Sequence, residues 1–239
     1  MKPQIVIENY QGAHNAELLK SVERLEKGKA YRDLSTVCIV PTRGMIPAKV
    51  TQAWMGMISP MNQKFTRIFM ISMEVGEAYN AAIEQILAIP ELSQWKYILT
   101  LEDDNIPPPD GLLKLYENID DFAAIGALYW TKGEGGQPMI YGEGEEGNLH
   151  FRPQPPVRDI QECDGLGMGF TLFKLDIFKN PQIERPWFKT CNEWDPQRGT
   201  KVYTQDLYFF EKIRKLGYRV ACDTRVKVGH YDQNMDVVW

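Results

Sequence analysis

The chain is poor in the residues on which metal-built and disulfide-built proteins depend. Its 239 residues include four cysteines and three histidines. The cysteines, Cys38, Cys163, Cys191 and Cys222, form no C-x-x-C pair, which argues against a zinc ribbon or a dithiol redox motif. Cys38 and Cys222 sit within apolar runs and read as reduced core thiols. No apolar run reaches the roughly 20 residues of a membrane-spanning helix, and the first residues lack a signal-peptide pattern. The expectation is a cytoplasmic protein with no transmembrane segment. Basic charge is not in excess: the net charge is −5, which disfavours a broad nucleic-acid-binding face. The first half contains neither G-x-x-x-x-G-K-[ST] nor G-x-G-x-x-G, so the P-loop and the dinucleotide fingerprint are both missing.

What is present is an ordinary globular composition, 44% hydrophobic and 25% charged, at a length that suits one large domain with a full core. Short apolar runs at 36–40, 65–72, 97–101 and 122–129 read as strands. Between them lie helical patterns: one opened by Pro47 and running to Met57, and one from Val75 to Leu87 with apolar residues at i, i+4, i+7, i+8, i+11 and i+12. A third starts at Asp110, a candidate N-cap. This alternation predicts an α/β fold with a mainly parallel central sheet flanked by helices. Residues 1–35 read as an N-terminal extension packed on the domain, with a strand at 5–7 and a helix at 16–25. Residues 132–148, rich in glycine and glutamate, are either an active-site flap or a surface hairpin tip.

The chemistry concentrates where the third strand ends. Glu102, Asp103, Asp104 and Asn105 follow Leu101 at once, and Pro107, Pro108 and Pro109 prevent the strand from continuing. Carboxylates packed this closely stay ionised cheaply only beside a cation or a ring of donors. Oxygen ligands of this kind suit magnesium or manganese. The alternative is a solvated acidic turn. Pro41, Thr42 and Arg43 end the first strand in a βα turn able to hold a nucleotide, or form a plain turn with a solvated arginine. Glu74 and Asn80 either face the same crevice or act as a cap and a solvated residue. Gly165, Gly167 and Gly169 alternate in 161–173, which suggests close approach of a ligand or another strand. Asp164 before them is a candidate for hydroxyl binding, or an ordinary turn residue. Trp194, in the irregular stretch 180–200, either stacks on an acceptor ring or packs its loop down. Thr204 suits an N-cap, and Asp206 then lies in the first helical turn, where the helix dipole favours the carboxylate that a general base requires.

Taken together, these segments resemble the GT-A glycosyltransferases, closest to the family 2 type. Leu101-Glu-Asp-Asp-Asn-Ile-Pro-Pro-Pro-Asp resembles the family's DxD region, with Glu102 and Asp104 in the two acidic places. Thr204-Gln205-Asp206, Gly217-Tyr218-Arg219-Val220 and His230 resemble its late Glu-Asp motif, its following strand and its metal-binding histidine. Glu102 and Gln205 depart from the family's usual Asp and Glu. The resemblance implies a single GT-A (Rossmann-like) domain over 36–239, with a nucleotide-binding half at 36–130 and an acceptor-binding half at 131–239. It implies transfer of a sugar from an NDP-sugar, a UDP-sugar foremost, to an acceptor hydroxyl with inversion. Asp206 would be the base, and Glu102, Asp104 and His230 would hold Mn2+ or Mg2+. Pro41, Thr42, Arg43, Glu74, Asn80, Asp103 and Gly167 would bind the donor, and Asp164 and Trp194 the acceptor, be it glycan, protein, lipid or nucleic-acid base. A nucleotidyltransferase making an NDP-sugar and a non-catalytic sugar-binding module are the competing readings.

Overall fold

In the computed structural model the described residues are 32–60, 63–142, 151–196 and 199–239, with the backbone alone described for Cys191–Asp195 and Gly199–Tyr203. The expected strand at 5–7, the helix at 16–25 and residues 143–148 of the glycine- and glutamate-rich stretch lie outside them. The described residues form one Rossmann-like α/β domain.

Strands β1 (Thr36–Thr42), β2 (Phe65–Ile71) and β3 (Tyr97–Leu101) are parallel neighbours, with β1 in the middle. They are separated by helices α1 (Ala48–Met55) and α2 (Val75–Ala88). The two-residue strand β4 (Asn105–Ile106) follows the acids, and helix α3 (Gly111–Asn118) leads to β5 (Ala124–Leu128). The later elements are β6 (Ile140–Tyr141), β7 (Ile160–Cys163), β8 (Gly165–Leu166), β9 (Phe170–Lys174), the β10–β11 hairpin (Cys191–Asp195, Gly199–Tyr203) and helix α4 (Gln205–Lys215). Strands β12 (Val220–Lys227), β13 (Gly229–Asp232) and β14 (Val237–Val238) complete the chain. The central sheet has seven strands in the order β2-β1-β3-β9-β5-β12-β7. Strands β2, β1, β3, β5 and β12 point one way; β9 and β7 run against them.

The period of two along β1 sorts its side chains between two cores. Val37 and Ile39 join Tyr79, Ala82, Ile83 and Ile86 of α2 and Phe209, Phe210 and Ile213 of α4 on one face. Cys38 and Val40 join Val50 and Trp54 of α1 and Leu112, Leu115 and Tyr116 of α3 on the other. A sheet covered on both faces buries every residue of β1, β3 and β5, which is why these strands read as continuous apolar runs rather than alternating ones. The thiols of Cys38, Cys163 and Cys222 are free and buried.

One local expectation is corrected. Asp110 occupies the N-cap position of α3, but its side chain caps no N–H; the carboxylate instead holds the Lys114 ammonium one turn later at 2.8 Å, both groups buried. The glycine stretch contributes β8 and β9 to different sheets, and a Cβ at Gly167 or Gly169 would strike the Tyr129 or Asn105 side chain.

Candidate functional site

The carboxyl ends of β1, β3 and β5 point to the same edge of the sheet, and antiparallel β9 starts there. Three backbone links tie this edge together. Ser72 N donates to Thr42 O at 2.8 Å, Glu102 N to Gly169 O at 3.3 Å, and Tyr231 N to Asp104 O at 2.7 Å. The last belongs with a two-residue pairing in which His230 faces Asn105. A histidine 125 positions downstream is thereby brought to the acidic strand end.

Each acid there has a different setting. Asp103 accepts the Arg43 backbone N–H at 3.3 Å, so the first βα turn and the acid cluster touch. Asp104 Oδ2 accepts from Lys132 Nζ at 2.5 Å and lies 3.4 Å from His230 Nε2. Burial works to raise the Asp104 pKa, but hydrogen bonds from His230 and Lys132 outweigh it and hold the carboxyl below its ordinary value. Glu102 accepts the Tyr79 hydroxyl at 3.2 Å. Its pKa is pushed up to about 8, first by burial and then by the charges of Asp104 and Asp206. Burial first, and then the charge of Glu102, keep the Tyr79 and Tyr129 phenols protonated far above neutral pH.

Asp206 lies in the first turn of α4 and is 5% exposed. Thr204 stands at the N-cap position without capping a helix N–H, and is hydrogen-bonded to Asp206 instead. At Asp206 a second effect opposes the helix start. Burial raises its pKa, and the bonds from the Thr204 side chain and Leu207 N–H (2.8 Å) offset that only in part.

The other candidates are spread over this edge and beneath it. Thr42 Oγ1 accepts from Gly44 N at 3.1 Å, closing the turn after Pro41. Glu74 caps α2, accepting Glu77 N at 2.9 Å, and takes the Thr190 hydroxyl at 3.1 Å. Asn80 spends its amide on the backbone of Trp187 and Phe188, in three bonds of 2.7–3.1 Å. Both therefore anchor the segment after the aromatic core. Gly167 leaves room for Tyr129, whose phenol oxygen a Cβ would strike; that oxygen accepts Gly169 N at 2.9 Å. Asp164 is fully buried and holds Arg214 Nη2 at 3.3 Å. Trp194 lies on β10, and its side chain is outside the described part of the structure.

The fold is shared with a known structure. A197 from STIV superposes with a TM-score of 0.57 at 17% identity, over 83% of this chain and 86% of that one. S. aureus TarS 1–349 gives a TM-score of 0.44 at 13% identity, over 79% of this chain and 57% of that one. No protein-family model and no curated protein sequence matches the chain.

Among the described residues no three His, Cys, Asp or Glu side chains form a group able to hold a metal ion. The expected set of Glu102, Asp104 and His230 is thus not a ready cage: Glu102 turns to Tyr79, and two donors, Asp104 Oδ2 and His230 Nε2, meet. Two protein donors are nonetheless what Mg2+ and Mn2+ commonly use when substrate phosphates complete the shell. The Lys132 ammonium already sits on the Asp104 oxygen, so the pair fits an ion once that ammonium withdraws.

Residues the sequence reading missed are Lys132, Tyr79 as a donor, and Tyr129. Tyr79 stood out as a member of an apolar helix face and as a departure from the arginine that the resembled family has before Asn80, and Tyr129 only as the end of a strand. A recess of about 530 Å³, lined by Leu87, Phe178, Ile183 and Trp187 among others, contains none of the candidate residues. Among the described residues no helix is long and apolar enough to cross a membrane.

Proposed function

We propose that the protein transfers a sugar from a nucleotide diphosphate sugar to an acceptor hydroxyl, with inversion at the anomeric carbon. The observation that carries this reading is the shared setting of Asp104 and Asp206, both of whose charges act on Glu102. The donor would lie over the carboxyl ends of β1 and β3, its nucleotide on the Pro41–Thr42–Arg43 turn and Asp103, and its diphosphate toward Asp104 and His230. A divalent ion held by Asp104 and His230 would supply Lewis-acid neutralisation of the leaving diphosphate.

The chain's own residues account for the rest. Asp206 takes the proton of the acceptor hydroxyl as its oxygen forms a bond to the anomeric carbon. The bond from that carbon to the diphosphate oxygen breaks on the opposite face, and the electron pair leaves with the nucleotide. Burial suits Asp206 to this task, because a carboxyl raised above its ordinary value is a stronger base once ionised. Glu102, with its pKa about 8, is largely neutral at pH 7 and so does not repel an incoming diphosphate.

The test is incubation with UDP-, GDP- and other NDP-sugars plus Mn2+, following nucleotide release with and without candidate acceptors. Release from one donor, lost in Asp206→Asn, is expected. No release from any donor, or release at normal rates by Asp206→Asn, would sink the proposal.

A further inference from the structure

Lys132 projects from a loop that closes on itself. Thr131 N donates to Gln137 O at 2.9 Å, Gln137 N donates to Thr131 Oγ1 at 2.8 Å, and Trp130 and Pro138 form an isolated bridge at its base. Gly133 and Gly135 take the positive φ values, 102° and 76°, that the tight path requires. The loop is therefore a mount whose backbone is tied, and it sends two groups to one place. The Lys132 ammonium reaches Asp104 Oδ2, and the Trp130 carbonyl accepts from His230 Nδ1 at 2.8 Å. A carbonyl can only accept, so Nδ1 carries the hydrogen. Nε2 of the same ring lies 3.4 Å from Asp104 Oδ2, so the loop places the lysine on that oxygen and holds the histidine ring beside it.

We infer that Lys132 is an internal counter-ion for Asp104, exchanged for a divalent cation when a diphosphate arrives to take the ammonium, so that metal and donor bind cooperatively. This rests on the donor reading of the proposed function. Three features suit an exchangeable cation. The pair is about one-third exposed on each side, 32% for Lys132 and 30% for Asp104, so separating it strands no buried charge. Lysine is a compact charge on a flexible stem, which can leave one anion for another without matching a fork geometry. The tied loop keeps the freed ammonium beside the site, where phosphate oxygens would lie.

The experiment is a titration of free Mn2+ by electron paramagnetic resonance, with and without UDP, on wild type, Lys132→Met, Lys132→Arg and Asp104→Asn. Wild type should bind Mn2+ weakly alone and more tightly with UDP. Lys132→Met should bind Mn2+ alone up to about fivefold more tightly, the scale of a partly exposed ion pair, and should gain less from UDP. Linkage requires Mn2+ to improve UDP affinity by the same factor in each protein. Lys132→Arg, which keeps the competing charge, should stay near wild type. A Mn2+ site that Asp104→Asn removes but that Lys132→Met leaves unchanged overturns this inference alone. No Mn2+ site in any of these proteins, or one that survives Asp104→Asn, overturns it together with the metal part of the proposed function.

Discussion

Two aspartates on this sheet hold cations in opposite ways. Asp223, within β12, is fully buried and chelated by Arg225, whose Nη2 and Nε lie 2.6 and 2.8 Å from its two oxygens. Arg225 also reaches Glu117 at 3.2 Å. Asp104 lies just beyond β3, partly open to solvent, with a lysine on one oxygen and a histidine nearby. The planar arginine fork makes a pair that is costly to open, because opening it leaves a buried carboxylate alone. The lysine pair has no such penalty. The comparison separates a charge pair that holds a strand in place from one that can give up its cation to a ligand.

The largest effect should come from Asp206, the proposed base. Asp206→Asn keeps the size and the helix start, and is expected to lower transfer by about 10²- to 10⁴-fold while leaving donor binding within a few-fold of wild type. Steady-state rates and UDP titration check the two halves of that statement. Next comes the structural pair. Arg225→Met should cost about 3 kcal/mol in urea unfolding, because Asp223 would remain buried without its fork. If Arg225→Met unfolds at the same urea concentration as wild type, the distinction drawn between the two aspartates is lost.

Much of the fold could be read directly, and the reason is local. Strands β1, β3 and β5 are continuous apolar runs because both faces are covered, and α2 shows its buried side at helical spacing. The direction of β9 could not be read. Phe170, Thr171, Leu172 and Phe173 are buried whichever way the strand runs, and only the pairing of Leu101 with Phe170 and Tyr97 with Lys174 sets it antiparallel. The Asp104–His230 contact was expected from resemblance alone, since the two-residue pairing of β4 with β13 leaves no periodic pattern. Lys132 carried only the signal of its stretch, 132–148, a flap or a hairpin tip. It is one charged residue among glycines, and its role depends on a loop closure the sequence does not spell out. Asp206 was seen at a helix start, but the burial that raises its pKa was not, because position in a helix is local and burial is not.

A smaller effect should separate Glu102 from Asp104 by pH. The Glu102 carboxyl rises from about 4.5 to about 8 on folding, so between those values the native state holds more protons than the unfolded chain. Stability must then fall as pH rises through that window. Asp104 is shifted the other way, so its contribution is present above the ordinary aspartate pKa and is lost as pH falls through the lowered one. Glu102→Gln should therefore flatten the loss of stability between pH 5 and 8 without altering the acid limb. Urea midpoints at pH 3, 5 and 8 measure both. An unchanged slope from pH 5 to 8 would show that Glu102 is ionised throughout.

The smallest effect on the fold is the most telling. Lys132→Met removes one side of a partly exposed pair, and the Asp104 carboxylate left behind can be hydrated. The cost in urea unfolding should stay below about 1 kcal/mol, against about 3 for Arg225→Met. The loop should not open either: the bonds between Thr131 and Gln137 and the Trp130 carbonyl bond to His230 do not involve the lysine side chain. A loss as large as that of Arg225→Met would mean that Lys132 is as structural as the arginine. The two aspartates would then differ in exposure but not in kind.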